Sequence, residues 1–215
     1  MNLRAVIFDL NGTVLSDEQI YGFAFKRVLL SLGVKVDSDH PHTSGIGVAE
    51  NWLQLIKKYN IKTQKTVDEL SVITQQQYFS QMDEVELKDG FIEFADMLRE
   101  SGLKIALATS NTWDITEKVL SKFDLLEYFD VITTKEEVHR NKPDPEIFFL
   151  TAEKLMIEPS ECLVFEDSEK GIVAAKEAGM KVIGMTNGRN SKKMLKKADR
   201  IIEDFFEVTP TLLEQ

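Results

Sequence analysis

The chain has 215 residues, a formal net charge of −10 and 43% hydrophobic residues. Its length allows a core that needs no disulfide or structural metal, and its composition excludes a disordered chain. The acidic excess argues against nucleic acid and anionic membrane surfaces as partners. The one cysteine, Cys162, cannot form an internal disulfide, so we expect a protein of the reducing cytoplasm. No apolar run approaches the about 18 residues of a membrane span, so we expect no membrane association.

Short apolar segments rich in β-branched residues alternate with amphipathic segments over most of the chain. We predict strands over residues 5–8, 104–108, 162–165 and 181–185, and shorter ones at 131–132 and 201–202. Continuous apolar runs of this length are typical of parallel strands that are buried on both faces. Helices are predicted over 91–100, 112–123, 145–156 and 168–178. The alternation predicts an α/β fold, a Rossmann-like parallel sheet flanked by helices.

The segment that follows the first strand has a different pattern. Apolar residues recur at helical spacing over 20–32, 48–59 and 67–82, and no strand-like run interrupts them. We therefore predict a small α-helical domain at residues 15–83, inserted into a core domain formed by 1–14 and 84–215.

Polar residues follow three of the predicted strands where each strand ends. Asp9, Asn11 and Thr13 follow the first strand, Thr109, Ser110 and Asn111 the second, and Glu166, Asp167 and Ser168 the third long run. Ligands of open α/β sheets bind beyond these carboxyl ends. Each group alone is explained by a turn or a helix cap, and the lone Lys142 by a solvated loop. Their occurrence together, in this order, indicates a functional site.

The chemistry of this set suits a phosphate and a hard cation. Asp9, Asp167 and Glu166 offer carboxylate oxygens for Mg²⁺, which takes one or two carboxylates together with water and phosphate oxygens. Thr109 and Lys142 are hydrogen-bond donors for a phosphate, and backbone N–H groups at Ser110 and Asn111 would add to the affinity for an anion. The site would be locally cationic although the protein is acidic.

Four ordered motifs resemble those of the haloacid dehalogenase superfamily, in its branch of β-phosphoglucomutase-like proteins and phosphatases. They are residues 8–13 (FDLNGT), 107–111 (LATSN), 141–145 (NKPDP) and 165–168 (FEDS) followed by Gly171 and Ile172. The resemblance spans nearly the whole chain and identifies the insert at 15–83 with the small cap domain of that family. It implies a hydrolase that acts on a small phosphorylated metabolite, as a monomer or a weak homodimer.

The resemblance also implies a role for individual residues. Asp9 would be the nucleophile that forms an aspartyl phosphate, and Thr109 and Lys142 would bind the transferring phosphoryl group. The resemblance implies that Asp9, Asp167 and Glu166 hold Mg²⁺ directly or through water. It also implies that the backbone carbonyl of Asn11 is a further ligand.

Asn11 departs from the family pattern, which has a second aspartate at this position that exchanges protons with the leaving group and water. An amide has no proton to exchange near neutral pH, and general acid–base catalysis is typically worth about 10²–10⁴-fold. Three explanations stay open. The chain is a native hydrolase whose substrates have good leaving groups, or one that uses another proton donor. Alternatively, it is an engineered Asp-to-Asn variant. The third explanation is a native phosphate-binding protein with little turnover.

In the insert, Gly45 and Gly47 are the expected contributors to substrate binding, because glycine lets the backbone approach a ligand or act as a hinge. Sugar-phosphate mutases of the family tend to have an arginine shortly after such a glycine, whereas Val48 follows here. This argues against β-phosphoglucomutase itself, although a phosphomutase stays an alternative function. For Tyr21, His40, His42 and Trp52 the sequence favours no one role.

Overall fold

The computed structural model describes residues 2–187 and 193–209. Its central element is a six-stranded parallel sheet. The strands are β1 Ala5–Phe8, β4 Lys104–Ala108, β5 Val131–Thr133, β6 Cys162–Glu166, β7 Lys181–Met185 and β8 Arg200–Ile202. Their order across the sheet is β5-β4-β1-β6-β7-β8. The predicted α/β fold is confirmed, and all six predicted strands are present.

Strand β1 lies in the middle of the sheet, and all four of its residues are buried. Its last residue, Phe8, is in register with Leu107 of β4 and Phe165 of β6. The chain therefore leaves these three parallel strands at one edge of the sheet. As a result, the residues that follow them lie close together.

The helices of the core pack on both faces of the sheet. They are α4 Phe91–Glu100, α5 Trp113–Lys122, α6 Glu146–Leu155 and α7 Glu169–Glu177, each within one residue of its predicted ends. Helix α7 begins where Ser168 Oγ accepts a hydrogen bond from the Gly171 N–H. Within residues 2–187 and 193–209, no helix is both long enough and apolar enough to cross a membrane.

The insert forms three helices, α1 Glu18–Ser31, α2 Val48–Tyr59 and α3 Val67–Phe79. A short antiparallel pair, β2 Leu15–Ser16 and β3 Glu86–Leu87, lies where the chain enters and leaves these helices. The sequence did not predict this pair, because two residues are too few to show an alternating pattern. Trp52, whose role the sequence left open, is fully buried in the insert and donates a hydrogen bond from Nε1 to Thr74 Oγ1 at 2.9 Å.

One face of the sheet is covered by a cluster of aromatic rings. Phe8 packs with ring centroids 5.2 Å from Phe165 and 5.8 Å from Phe205, and Phe91 and Phe94 complete the cluster. Phe205 is 2% exposed, whereas its neighbour Phe206 is 66% exposed. The cluster thus attaches the chain beyond β8 to the central strand.

We predict that Phe205→Ala lowers the free energy of unfolding by about 3–5 kcal/mol, because it leaves a cavity in this cluster. Phe206→Ala is the matched control and should change it by less than about 0.5 kcal/mol. Urea unfolding followed by circular dichroism measures both. Equal effects of the two substitutions would contradict the assigned packing.

Candidate active site

The ammonium group of Lys142 lies at the carboxyl end of the sheet, between two carboxylates. Its Nζ is 2.6 Å from Asp9 Oδ1 and 2.8 Å from Glu166 Oε1, and it donates to the Ala108 carbonyl at 3.1 Å. All three charged side chains are buried. The structure therefore brings together residues that the sequence placed after β1 and β6 and in a distant loop.

Lys142 does not offset the effect of burial on the carboxyl groups of Asp9 and Asp167. Burial raises the pKa of Asp9 to about 7, against the opposing effect of Lys142. Burial, followed by the charges of Glu18, Glu166 and Asp9, raises the pKa of Asp167 well above its ordinary value. Burial would lower the pKa of Lys142, but its two carboxylate partners raise it. A cation bound beside these carboxyl groups would favour the ionised forms of Asp9 and Asp167.

Glu166 has hydrogen-bond partners at both carboxylate oxygens. Oε1 contacts Lys142, and Oε2 accepts from the Ser168 N–H at 2.7 Å and from Ser168 Oγ at 2.8 Å. Gly171 packs directly on this carboxylate, where a Cβ would collide with it. Glu166 thus fixes Lys142 and the start of α7 in this arrangement.

The remaining oxygen donors fit Mg²⁺. Over the described part of the chain, no group of three His, Cys, Asp or Glu side chains is arranged to hold a metal. Two buried carboxylates, Asp9 and Asp167, do lie at the site, and Asp167 Oδ2 accepts from Asn187 Nδ2 at 2.5 Å. Mg²⁺ is commonly held by one or two carboxylates with water and substrate phosphate completing its shell, so this donor set suits it.

Asp9 lies on the wall of a cavity, together with Asn11, Thr109, Ser110 and Asn111. Thr109 is buried, and its Oγ1 accepts from the Asn111 N–H at 3.2 Å. That N–H is therefore engaged within the protein.

The Asn11 side chain is held on both sides. Its Nδ2 donates to Asp17 Oδ2 at 2.5 Å, and its Oδ1 accepts from Asn111 Nδ2 at 2.7 Å. Asp17 is fully buried and also accepts from Tyr78 Oη at 2.7 Å. Burial raises the pKa of Asp17 to about 7. The sequence analysis missed Asp17; the only available signal was an acid just before the first helix of the insert.

The opposite wall of the cavity comes from the insert. It includes Glu18, Tyr21, His42, Ser44 and Asn51. Of these, the sequence analysis missed Glu18 and Asn51, whereas Ser44 belongs to the same glycine-containing segment as Gly45 and Gly47. Glu18 Oε2 accepts from Ser44 Oγ at 2.9 Å and lies 3.3 Å from His42 Nε2. His40 lines a different groove, so the two histidines are not neighbours in one site.

The predicted glycines lie where the insert meets the core. Gly45, with φ +78°, lines the cavity and packs against Ser168, where a side chain would collide. Gly47 lies beside Glu50, whose carboxylate contacts Lys135 Nζ at 2.8 and 2.9 Å and accepts from Asn141 Nδ2 at 2.6 Å. These contacts hold helix α2 close to the motif that contains Lys142.

A family model described as "Haloacid dehalogenase-like hydrolase" matches residues 6–185. The chain belongs to this family. The prediction that it is a hydrolase of the haloacid dehalogenase superfamily is therefore confirmed.

Two relatives that match over nearly the full length are, by their names, enzymes that act on phosphorylated sugars. A phosphorylated carbohydrates phosphatase from Thermotoga maritima is 32% identical over 206 residues, covering 93% of each chain. A β-phosphoglucomutase from Bacillus subtilis is 27% identical and covers 99% of this chain and 95% of its own. The fold matches the crystal structure of CbbY from Rhodobacter sphaeroides in complex with phosphate, with a TM-score of 0.85, 23% identity and coverage of 99% and 100%. The predicted branch, phosphatases and β-phosphoglucomutase-like proteins, is confirmed.

We predict that, without divalent metal, the free energy of unfolding falls as the pH rises from 5 to 8. Unfolded aspartates titrate near pH 4, whereas the pKa values of Asp9 and Asp17 are raised to about 7 by burial. The folded protein thus holds more protons than the unfolded chain between about pH 4 and 7, and stability declines over that range.

Urea titrations at several pH values in EDTA measure this decline. Asp17→Asn should reduce it, because one of the raised groups is removed. Asp130→Asn is the control. Partial burial would raise the pKa of Asp130, but Lys104 and the Ile105 N–H lower it below its ordinary value. This carboxyl group therefore titrates below the pH range over which the decline is expected. A stability that rises steadily from pH 5 to 8 would contradict the prediction.

Proposed function

We propose that this chain is a Mg²⁺-dependent phosphatase that hydrolyses a monoester of a small phosphorylated metabolite through an aspartyl phosphate on Asp9. The observation that carries the proposal is the position of Asp9, at the end of the central strand, on the cavity wall and 2.6 Å from Lys142. The relatives, a phosphatase of phosphorylated carbohydrates among them, support it. The insert would be the cap over this site, and the compartment would be the cytoplasm.

The reaction needs two displacements at phosphorus. In the first, a carboxylate oxygen of Asp9 bonds to phosphorus while the ester P–O bond breaks, and the leaving group departs as an anion that takes a proton from solvent. In the second, water attacks phosphorus and gives a proton to solvent, the bond between phosphorus and Asp9 breaks, and inorganic phosphate is released. Lys142 keeps Asp9 oriented and stabilises negative charge on the phosphoryl oxygens, with Thr109 as a further donor.

Asp9, Asp167 and the backbone carbonyl of Asn11 would hold Mg²⁺, with Glu166 contributing through water. When bound, the ion supplies the positive charge that lets an anionic nucleophile approach an anionic phosphate. Its charge would also favour the ionised form of Asp9, whose pKa burial raises to about 7. Glu166 would keep Lys142 charged and in place.

Asn11 limits the esters that this site can cleave quickly. Its amide cannot give a proton to a leaving alkoxide, and both ends of the amide are engaged by Asp17 and Asn111. Esters whose leaving group is stable as an anion need no such proton. The same residue favours a second candidate function, a phosphate-ligand-binding protein with little turnover.

We predict Mg²⁺-dependent hydrolysis of p-nitrophenyl phosphate that is lost in Asp9→Asn, because the amide cannot form the acyl phosphate. Released nitrophenolate measures turnover, and acid-quenched radiolabelled protein measures the phosphoenzyme. Asp39→Asn, on the surface of the insert, is the control and should stay within about twofold of wild type. Phosphate binding by calorimetry without any turnover would support the binding protein instead.

We also predict that Asn11→Asp accelerates hydrolysis of alkyl phosphates by about 10²-fold or more, since it introduces a carboxylic acid. The gain on p-nitrophenyl phosphate should be much smaller, because nitrophenolate leaves without a proton. Asn11→Ala, which removes the amide but adds no acid, should give no gain. Equal gains on both esters, or none on either, would contradict the role assigned to position 11.

A further inference from the structure

The side-chain amide of Asn11 precedes a backbone nitrogen that can react with it. When glycine follows asparagine, no Cβ hinders the attack of the glycine nitrogen on the side-chain carbonyl carbon. Gly12 is the next residue, and its φ is +79°. A Cβ at Gly12 would collide with the Asp167 carboxylate, so the packing also requires glycine there. The fold thus keeps a reactive Asn–Gly pair at the cavity, whose wall includes Asn11.

The carboxyl group of Asp17 contacts both nitrogens that take part in such a reaction. Oδ1 accepts a hydrogen bond from the Gly12 N–H at 3.2 Å, and Oδ2 accepts one from Asn11 Nδ2 at 2.5 Å. The Gly12 nitrogen is the one that attacks, and Asn11 Nδ2 is the one that leaves. Because both bond to a single carboxyl group, the two nitrogens are held close together. A carboxyl group in this position can take a proton from the first and give one to the second.

The carbonyl oxygen of the same amide also has a hydrogen-bond donor. Asn111 Nδ2 donates to Asn11 Oδ1 at 2.7 Å. A donor at this oxygen stabilises the negative charge that develops there when a nucleophile adds to the carbonyl carbon. Asn111 and Asp17 are both buried, so these contacts are shielded from water. The amide of Asn11 therefore has a proton acceptor, a proton donor and an oxyanion donor around it.

We propose that Asn11–Gly12 is a self-modification site, at which Asp17 promotes the conversion of Asn11 to aspartate after synthesis. In the first step, the Gly12 nitrogen bonds to Asn11 Cγ, its proton passes to Asp17, and the bond between Cγ and Nδ2 breaks. Asp17 gives a proton to the leaving nitrogen, which departs as ammonia and leaves a succinimide. In the second step, the oxygen of a water molecule bonds to Cγ, the bond between Cγ and the Gly12 nitrogen breaks, and that nitrogen takes a proton from the water.

The turn that contains Asn11 favours aspartate over isoaspartate as the product. Isoaspartate forms when water adds to the main-chain carbonyl carbon of the succinimide, and it adds one carbon atom to the backbone. The N–H groups of Val14 and Leu15 both donate to the Leu10 carbonyl, at 2.9 and 3.0 Å. An additional backbone atom inside this turn would disrupt both hydrogen bonds. Aspartate leaves the backbone unchanged and adds a carboxyl group to the cavity wall.

The consequence of this conversion for activity rests on the proposed phosphatase function. Aspartate at position 11 provides the acid that Asn11 lacks, so hydrolysis of alkyl phosphates should increase as the protein ages, in proportion to the fraction converted. The conversion itself requires neither Mg²⁺ nor a phosphate ester. The modification and the phosphatase activity can therefore be measured separately.

Incubation of freshly purified protein in water labelled with heavy oxygen, followed by peptide mapping with mass spectrometry, measures the modification. Heavy oxygen in the side chain of residue 11 reports conversion after synthesis, and fragmentation of the backbone separates aspartate from isoaspartate. We expect conversion in the folded protein to be at least about tenfold faster than in the same protein unfolded in urea. Asp17→Asn should remove this acceleration, with a loss of about tenfold or more, and should leave the rate in urea unchanged.

Asp39→Asn is the matched control, because it makes the same replacement at an exposed carboxylate of the insert and should leave the rate of conversion unchanged. Asn111→Ala is a second test that does not depend on the folding of Asp17→Asn. It removes the donor to Asn11 Oδ1 and should slow conversion in the folded protein by about tenfold. Conversion in folded wild type that is no faster than in urea, or isoaspartate as its main product, would overturn the proposal.

Comparison of fresh and aged protein on glycerol phosphate and p-nitrophenyl phosphate, with Mg²⁺, distinguishes failure of the self-modification from failure of the proposed function. Conversion to aspartate without turnover of either ester would support the modification and overturn the phosphatase. Turnover of p-nitrophenyl phosphate by aged protein that retains Asn11 in all of its peptides would support the phosphatase and overturn the modification.

Discussion

The arrangement of the site depends on one buried ammonium group. Lys142 joins Asp9, which follows the central strand, to Glu166, the last residue of its neighbour. A buried ion pair adds little net stability when it is complete, but removal of one partner leaves an uncompensated buried charge and typically costs about 3–5 kcal/mol. The positions of the three side chains are therefore interdependent. Gly171, packed on Glu166, and Ser168, bonded to it, belong to the same constraint, so the start of α7 is fixed by the same cation.

The net charge of the chain does not determine the charge of the ligand that its site binds. A net charge of −10 disfavours polyanionic partners over long distances, yet the carboxylates of Asp9 and Asp167 would gain from a divalent cation at short range. With such an ion bound, the reacting phosphate would meet local positive charge.

The sequence predicted the sheet well because each core strand is a continuous apolar run, and parallel strands bring their carboxyl ends to one edge. Asp9, Thr109 and Glu166 could therefore be assigned to one region before the structure was known. The residues of the insert that line the cavity could not be assigned in this way. Glu18 and His42 lie at the cavity because of how the insert packs on the core, which the sequence pattern does not indicate. The two-residue strands β2 and β3, which lie where the insert joins the core, show no periodicity. The hydrogen bonds of Glu166 to its own following backbone and hydroxyl are likewise invisible in a list of acidic residues.

Asn11 and Asp17 show why the presence of an acid does not define its role. A carboxyl group lies 2.5 Å from the Asn11 amide, so this region has not lost its acid. Asp17, however, does not line the cavity, whereas Asn11 does, and the amide thus separates the carboxyl group from any bound ester. An aspartate at position 11 would face the cavity itself. It would also lie against Asp17, and two carboxyl groups in contact cannot both ionise readily, so one would keep a proton. Position 11 would then have both the location and the protonation state that a leaving alkoxide requires, which neither Asn11 nor Asp17 provides alone.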